Sequence, residues 1–144
     1  MHHPRTLTVK GRKKIEAVAM NINTTTHSYT VIPLISLQEA LVGKLFIVLK
    51  EKDGIVPVTL QTGFNGLVQR LGNLQVTAST SGKMGLQQLR EWYLNCYWPN
   101  AGSRNLLTVN SWTTFNNEQV RTTTAPAGKS VELRQIPKGT ISMI

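Results

Sequence analysis

Hydrophobic and polar positions divide this chain into short blocks. From Ile15 onward three β-rich runs follow one another: Ala17-Val18-Ala19-Met20-Asn21-Ile22-Asn23, then residues 27–36, then residues 41–50. They are separated by Asn23-Thr24-Thr25-Thr26 and by Leu37-Gln38-Glu39-Ala40. Connections this short predict an antiparallel meander, because a parallel crossover needs a longer link. Residues 51–72 read as loop, punctuated by Asp53-Gly54, Pro57, Gly63 and Gly66. Leu74 to Ser79 alternates moderately and predicts a strand. Thr80-Ser81-Gly82-Lys83 then offers hydroxyl caps to a helix whose apolar positions Leu86, Leu89, Tyr93 and Cys96 or Tyr97 recur at three and four residues, with Pro99 as its stop. A strand over Leu106 to Asn110, a polar stretch rich in Thr and Asn, and a last strand over Val131 to Ile136 closed by Pro137 complete the chain. Strand, helix, strand is a parallel crossover, so the pattern predicts an α/β fold in which a meander feeds a mixed sheet with helix cover.

A length of 144 residues suits one domain with its own core. Residues 1–14 stand apart as a basic segment: Arg5, Lys10, Arg12, Lys13 and Lys14 lie there, with His2 and His3. Across the whole chain sixteen Lys and Arg oppose seven acids, a formal +9. That balance favours a polyanion, above all nucleic acid, over an acidic substrate. The single cysteine, Cys96, sits in an apolar helical stretch, which rules out a disulfide framework and a cysteine-based zinc site and points to a reducing compartment. No apolar stretch is long enough to span a membrane, and the N-terminus has no hydrophobic signal region. The expected location is nuclear or cytoplasmic, not secreted, with no membrane partner.

The strand ending at Asn110 carries the most chemical information. A strand that sheds its hydrophobicity at its carboxyl end delivers the last side chain to the crevice where α/β folds keep their chemistry. A two-metal nuclease wants a carboxylate there, because carboxylates offset the charge of paired divalent cations and fix their separation. Asn110 offers an oxygen without a charge. The chain has one aspartate, Asp53, in an apparent surface turn, and six scattered glutamates, no two spaced to share one helix face. No carboxylate pair for acid–base work and no metal site emerges. Ser81-Gly82-Lys83 lacks the four-residue gap and the following Ser or Thr of a phosphate loop, and reads as a helix cap. His27 has no Cys or Asp at ligand spacing, so it reads as a strand-start polar residue. Trp92, Tyr93, Tyr97 and Trp98 could stack bases, but on so apolar a helix they read as core. Gly11-Arg12-Lys13-Lys14 is a candidate phosphate-contacting cluster.

Several segments, in order, resemble the catalytic domain of DDE-type transposases of the Tc1/mariner and pogo superfamily. They are Arg5-Thr6-Leu7-Thr8-Val9-Lys10-Gly11; Thr26-His27-Ser28-Tyr29-Thr30 with Pro33; Lys44 to Glu51; Thr80-Ser81-Gly82-Lys83 with its helix; Leu106 to Trp112; and Gln135-Ile136-Pro137-Lys138-Gly139-Thr140. The resemblance spans about residues 5–144 and implies an RNase H-like core, incomplete at both ends, in which three acids of the family hold two magnesium or manganese ions. Only the second acid has a counterpart, and it is Asn110. The first belongs on a strand before Arg5, where this chain has Met1-His2-His3-Pro4; the third follows the Ile-Pro segment, and the sequence ends at Ile144.

The expectation is therefore a transposase-derived, RNase H-like domain over residues 15–144 that lacks the endonuclease activity and needs no cofactor. Its remaining capacity would be non-specific DNA binding, with Arg5, Lys10, Arg12, Lys13 and Lys14 as the DNA-contacting residues. The alternatives are an interaction module that pairs with a full-length transposase, or with itself, and interferes with it, and a decayed gene fragment with no selected role.

Overall fold

The computed structural model describes residues 29–58, 60–63, 65 and 72–138. Three strands form one sheet: β1 (Tyr29–Ile32), β2 (Leu45–Lys50) and β3 (Leu74–Ser79), in that order. β1 runs antiparallel to β2, with Ile32 opposite Phe46, and β2 runs parallel to β3, with Leu45 opposite Leu74 and Lys50 opposite Ser79. Two more strands, β4 (Arg104–Val109) and β5 (Ser130–Gln135), form a separate parallel pair. Between β3 and β4 in the chain comes α1 (Leu86–Trp92), which runs directly into a π-helical turn (Tyr93–Tyr97). A 3-10 turn (Thr113–Asn116) and α2 (Glu118–Thr124) connect β4 to β5.

The molecule is thus mixed α/β, and the antiparallel pairing expected between the second and third β-rich runs is present. The first run, residues 15–23, lies outside the described residues. Two expectations about the connections are corrected. Residues 51–72 are not all loop: Val58, Leu60 to Gly63 and Asn65 are helical, and the Gln61 N–H donates to the Pro57 carbonyl at 2.8 Å. The cause is that β3 runs parallel to β2, so the chain must return along the sheet before pairing, and a helix opened by proline is the usual route. Nor does α1 cross over within one sheet, because β3 and β4 belong to different sheets. The parallel crossovers lie one step earlier, β2 to β3, and one step later, β4 to β5.

β2 reads Leu-Phe-Ile-Val-Leu-Lys, a nearly continuous apolar run, and five of its six side chains are buried or half-buried. Such a run marks a strand covered on both faces. On one face Phe46 and Val48 are fully buried against the helical layer. That layer is an aromatic cluster: Trp92 packs edge-on to Phe115 with ring centres 5.7 Å apart, stacks on Tyr97 at 5.5 Å, and Tyr93 stacks on Trp98 at 5.9 Å. The π turn, closed by Trp98 N–H to the Tyr93 carbonyl at 2.8 Å, widens the helix. As a result five of the seven residues from Trp92 to Trp98 are buried. The aromatics are core, as their helical spacing predicts.

The predicted hydroxyl caps do not start α1. Gly85 is its N-cap, and the buried Gln88 bridges two elements, its Oε1 accepting from Gly85 N–H at 3.1 Å and its Nε2 donating to the Ala78 carbonyl at 2.8 Å. At the amino ends of the strands, Gly43 has φ +64 and lies so close to Asn100 that an added Cβ would sit 2.2 Å from its Nδ2. The same Nδ2 donates to the Cys96 carbonyl at 2.8 Å and ties off the π turn. Trp98 Nε1 donates to Thr124 Oγ1 at 3.1 Å and Lys129 Nζ to the Trp98 carbonyl at 2.7 Å, which fixes α2 and the start of β5 to the helix.

Candidate functional site

The carboxyl ends of β3 and β4 open onto one crevice of about 450 Å³, which the start of β1 also borders. Local sequence builds each wall. After β3 the chain turns through Gly82 at φ +71, where Ser79 Oγ donates to the Lys83 carbonyl at 2.8 Å and Lys83 N–H to Ser81 Oγ at 3.2 Å. Thr30 Oγ1 of β1 donates to the Gly82 carbonyl at 2.7 Å, and Thr114 Oγ1 donates to the Met84 carbonyl at 3.1 Å. Threonines from two distant segments thereby clamp the β3–α1 turn. The resulting wall combines hydroxyls with Met84, Lys83 and two large aromatics, Tyr29 at 67% and Trp112 at 42% exposure.

Asn110 sits one residue past β4, at the strand end where the sequence places it. Its Oδ1 accepts from the Trp112 N–H at 3.2 Å, an Asx turn, and Gln135 Nε2 holds the Trp112 carbonyl at 3.4 Å. The amide therefore positions Trp112 and is not itself part of the crevice wall. Among the described residues the crevice wall holds no carboxylate, so its donors do not fit a pair of divalent cations. Among the described residues no group of three or more His, Cys, Asp or Glu converges. The other candidate residues, Arg5, Lys10, Arg12, Lys13 and Lys14, lie outside the described residues, as does His27.

Lys83 belongs to the Ser81-Gly82-Lys83 turn that sequence reasoning assigned to capping; it lines the crevice instead. Tyr29 and Trp112 carried no signal of their own, because an aromatic residue at a strand end is as often core as surface. Their shared crevice depends on the start of β1 lying beside the end of β4.

Three titratable groups lie in the core cluster: Tyr93, Cys96 and Tyr97. Burial pushes the Cys96 thiol up to about 11 and the Tyr97 phenol up to about 12, and it raises Tyr93 against the opposing charge of Arg121. A buried thiol so shifted is a poor nucleophile. Among the described residues no helix is long and apolar enough to cross a membrane. No protein-family model, curated protein or solved structure matches this chain.

Proposed function

We propose that this chain is a transposase-derived, RNase H-like domain that holds nucleic acid without cutting it. The observation that carries the reading is Asn110: it stands at the end of β4, where the resemblance puts a metal-binding acid, and its oxygen is turned back onto the Trp112 N–H. A formal +9 supplies the attraction for phosphate. Arg5, Lys10, Arg12, Lys13 and Lys14 are the proposed DNA contacts outside the described residues, and no metal is required for this role. Fluorescence anisotropy with unrelated duplexes tests it. The expected result is equal affinity for every sequence, micromolar or weaker, falling steeply with salt as counterion release requires. Strong preference for one terminal-repeat sequence, or nicking with magnesium or manganese, would refute it.

A second reading, an interaction module, is favoured by the outer edge of β4. Ser130 N–H donates to the Ser103 carbonyl and Ile136 N–H to the Val109 carbonyl, so odd-numbered β4 residues face β5. Arg104, Leu106 and Thr108 then turn their backbone groups the other way, where no described strand pairs with them. A groove of about 440 Å³ runs there between β4 and the residues after β1, with Ile35 61% and Leu106 66% exposed. Trp92 and Tyr97 line it, and Trp92 Nε1 and Tyr97 OH are buried without a hydrogen-bond partner. An added strand would pair this edge. Co-purification with a full-length transposase of the resembled family supports this reading, and its absence at high concentration of both chains counts against it.

A further inference from the structure

Contact with duplex phosphates makes no use of the aromatic rim of the crevice at the carboxyl ends of β3 and β4. The aromatics of the α1 layer, Trp92, Tyr93, Tyr97 and Trp98, are buried in the core, whereas Tyr29 and Trp112 hold their rings at the surface on the same crevice. Trp112 is pre-set there, its N–H bound to Asn110 and its carbonyl to Gln135. The wall beside the rings is largely apolar and includes Met84; Thr30, Ser81 and Thr113 add hydroxyls, and among the described residues Lys83 is the one charged side chain in it. The volume falls in the range of sites that hold small ligands or single residues of a polymer.

We infer that this crevice is a stacking site for single-stranded nucleic acid, in which unpaired bases lie on Trp112 and Tyr29 and Lys83 meets the adjoining phosphate. The inference rests on the nucleic-acid reading above and deepens it. Duplex bases expose their edges and keep their faces stacked on one another, so a surface aromatic ring gains nothing from them. An unpaired base offers a free face to any ring, whatever its identity. Neutral sugars also stack on exposed aromatics, but the lysine in the wall and the +9 of the chain favour an anionic polymer.

The test uses the full chain, an oligothymidylate and a duplex of equal length, read by anisotropy and by tryptophan fluorescence, with buried Trp92 and Trp98 as a constant background. Trp112→Ala and Tyr29→Ala are each expected to weaken oligothymidylate binding about tenfold, a loss typical of one stacked base, and to leave duplex binding unchanged. Trp112→Phe and Tyr29→Phe keep a ring and should retain most of the affinity. Lys83→Ala should lower the salt dependence for the single strand by roughly one phosphate contact. All three side chains are exposed, so circular dichroism and the thermal melt should match wild type. Unchanged oligothymidylate affinity in both alanine variants, an equal loss for duplex and single strand, or quenching by a neutral oligosaccharide in place of the oligonucleotide overturns the stacking site and leaves the duplex reading standing. Failure of the wild type to bind either nucleic acid overturns both.

Discussion

Asn110, one residue past β4, uses its side-chain oxygen to hold the Trp112 N–H. A carboxylate in its place would bring charge to the end of β4, but the clamp on both reacting oxygens needs two metals held about 3.5–4 Å apart by several carboxylates. Asn110→Asp is therefore expected to stay inert in a nicking assay with magnesium or manganese, with at most weak metal binding gained; nicking by this variant would mean that distant glutamates complete the site. The buried thiol and phenols give a second prediction at this scale. Cys96 ionises near 9 when unfolded and is pushed up to about 11 in the fold, and Tyr97 moves from 10 to about 12. The folded state thus keeps protons that the unfolded state releases, so stability is full below about pH 9 and falls as pH rises through 9 to 12. Urea midpoints measured across that range should decline steadily, and Cys96→Ala should blunt the first part of the decline. A flat profile would contradict the burial of these groups.

The elements differ in how far the sequence reveals them, and the difference follows from what holds each one. β2 announces itself because a strand covered on both faces must be apolar throughout, and α1 because Leu89, Tyr93 and Cys96 repeat at helical spacing into a single core. α2 is poorly visible: Glu118-Gln119-Val120-Arg121-Thr122-Thr123-Thr124 has only one large apolar residue and three threonines of low helix propensity. Its helix depends on Asn117 Oδ1 accepting from Val120 N–H at 2.8 Å and on Thr124 meeting Trp98. Likewise the helical residues after Pro57 are required by parallel pairing of β2 with β3, a contact that no local window contains. The candidate site was half legible for the same reason: Asn110 at a strand end, beside the crevice, is a local signal, whereas the meeting of Tyr29 with Trp112 across it is a tertiary one. Two substitutions measure these dependencies. Leu89→Ala, at a fully buried site in α1, should cost about 2–5 kcal/mol in denaturant unfolding. Asn117→Ala should cost about 1 kcal/mol, the usual loss of a helix cap. Equal losses would contradict the assignment of α1 as the core element and α2 as its locally capped attachment.

At the scale of the molecule, sheet edges decide behaviour in concentrated solution. Among the described residues no strand pairs with the outer edge of β4, which lies beside exposed Leu106, and Ile35 and Leu37 project nearby at 61% and 101% exposure. Such an edge is a template for another chain. Light scattering or sedimentation should show concentration-dependent self-association, and Leu106→Lys, which places a charge beside the open edge, should suppress it with no loss of thermal stability. A wild-type monomer at high concentration would show that this edge is already covered. The separation of the two sheets also bears on how the chain assembles. Among the described residues they share no ladder, so neither can template the other, and what they share is the aromatic layer of α1 and its π turn. Leu89, Trp92 and Tyr93 sit in one cluster with residues of both sheets, so loosening any of these three side chains should be felt by both sheets at once.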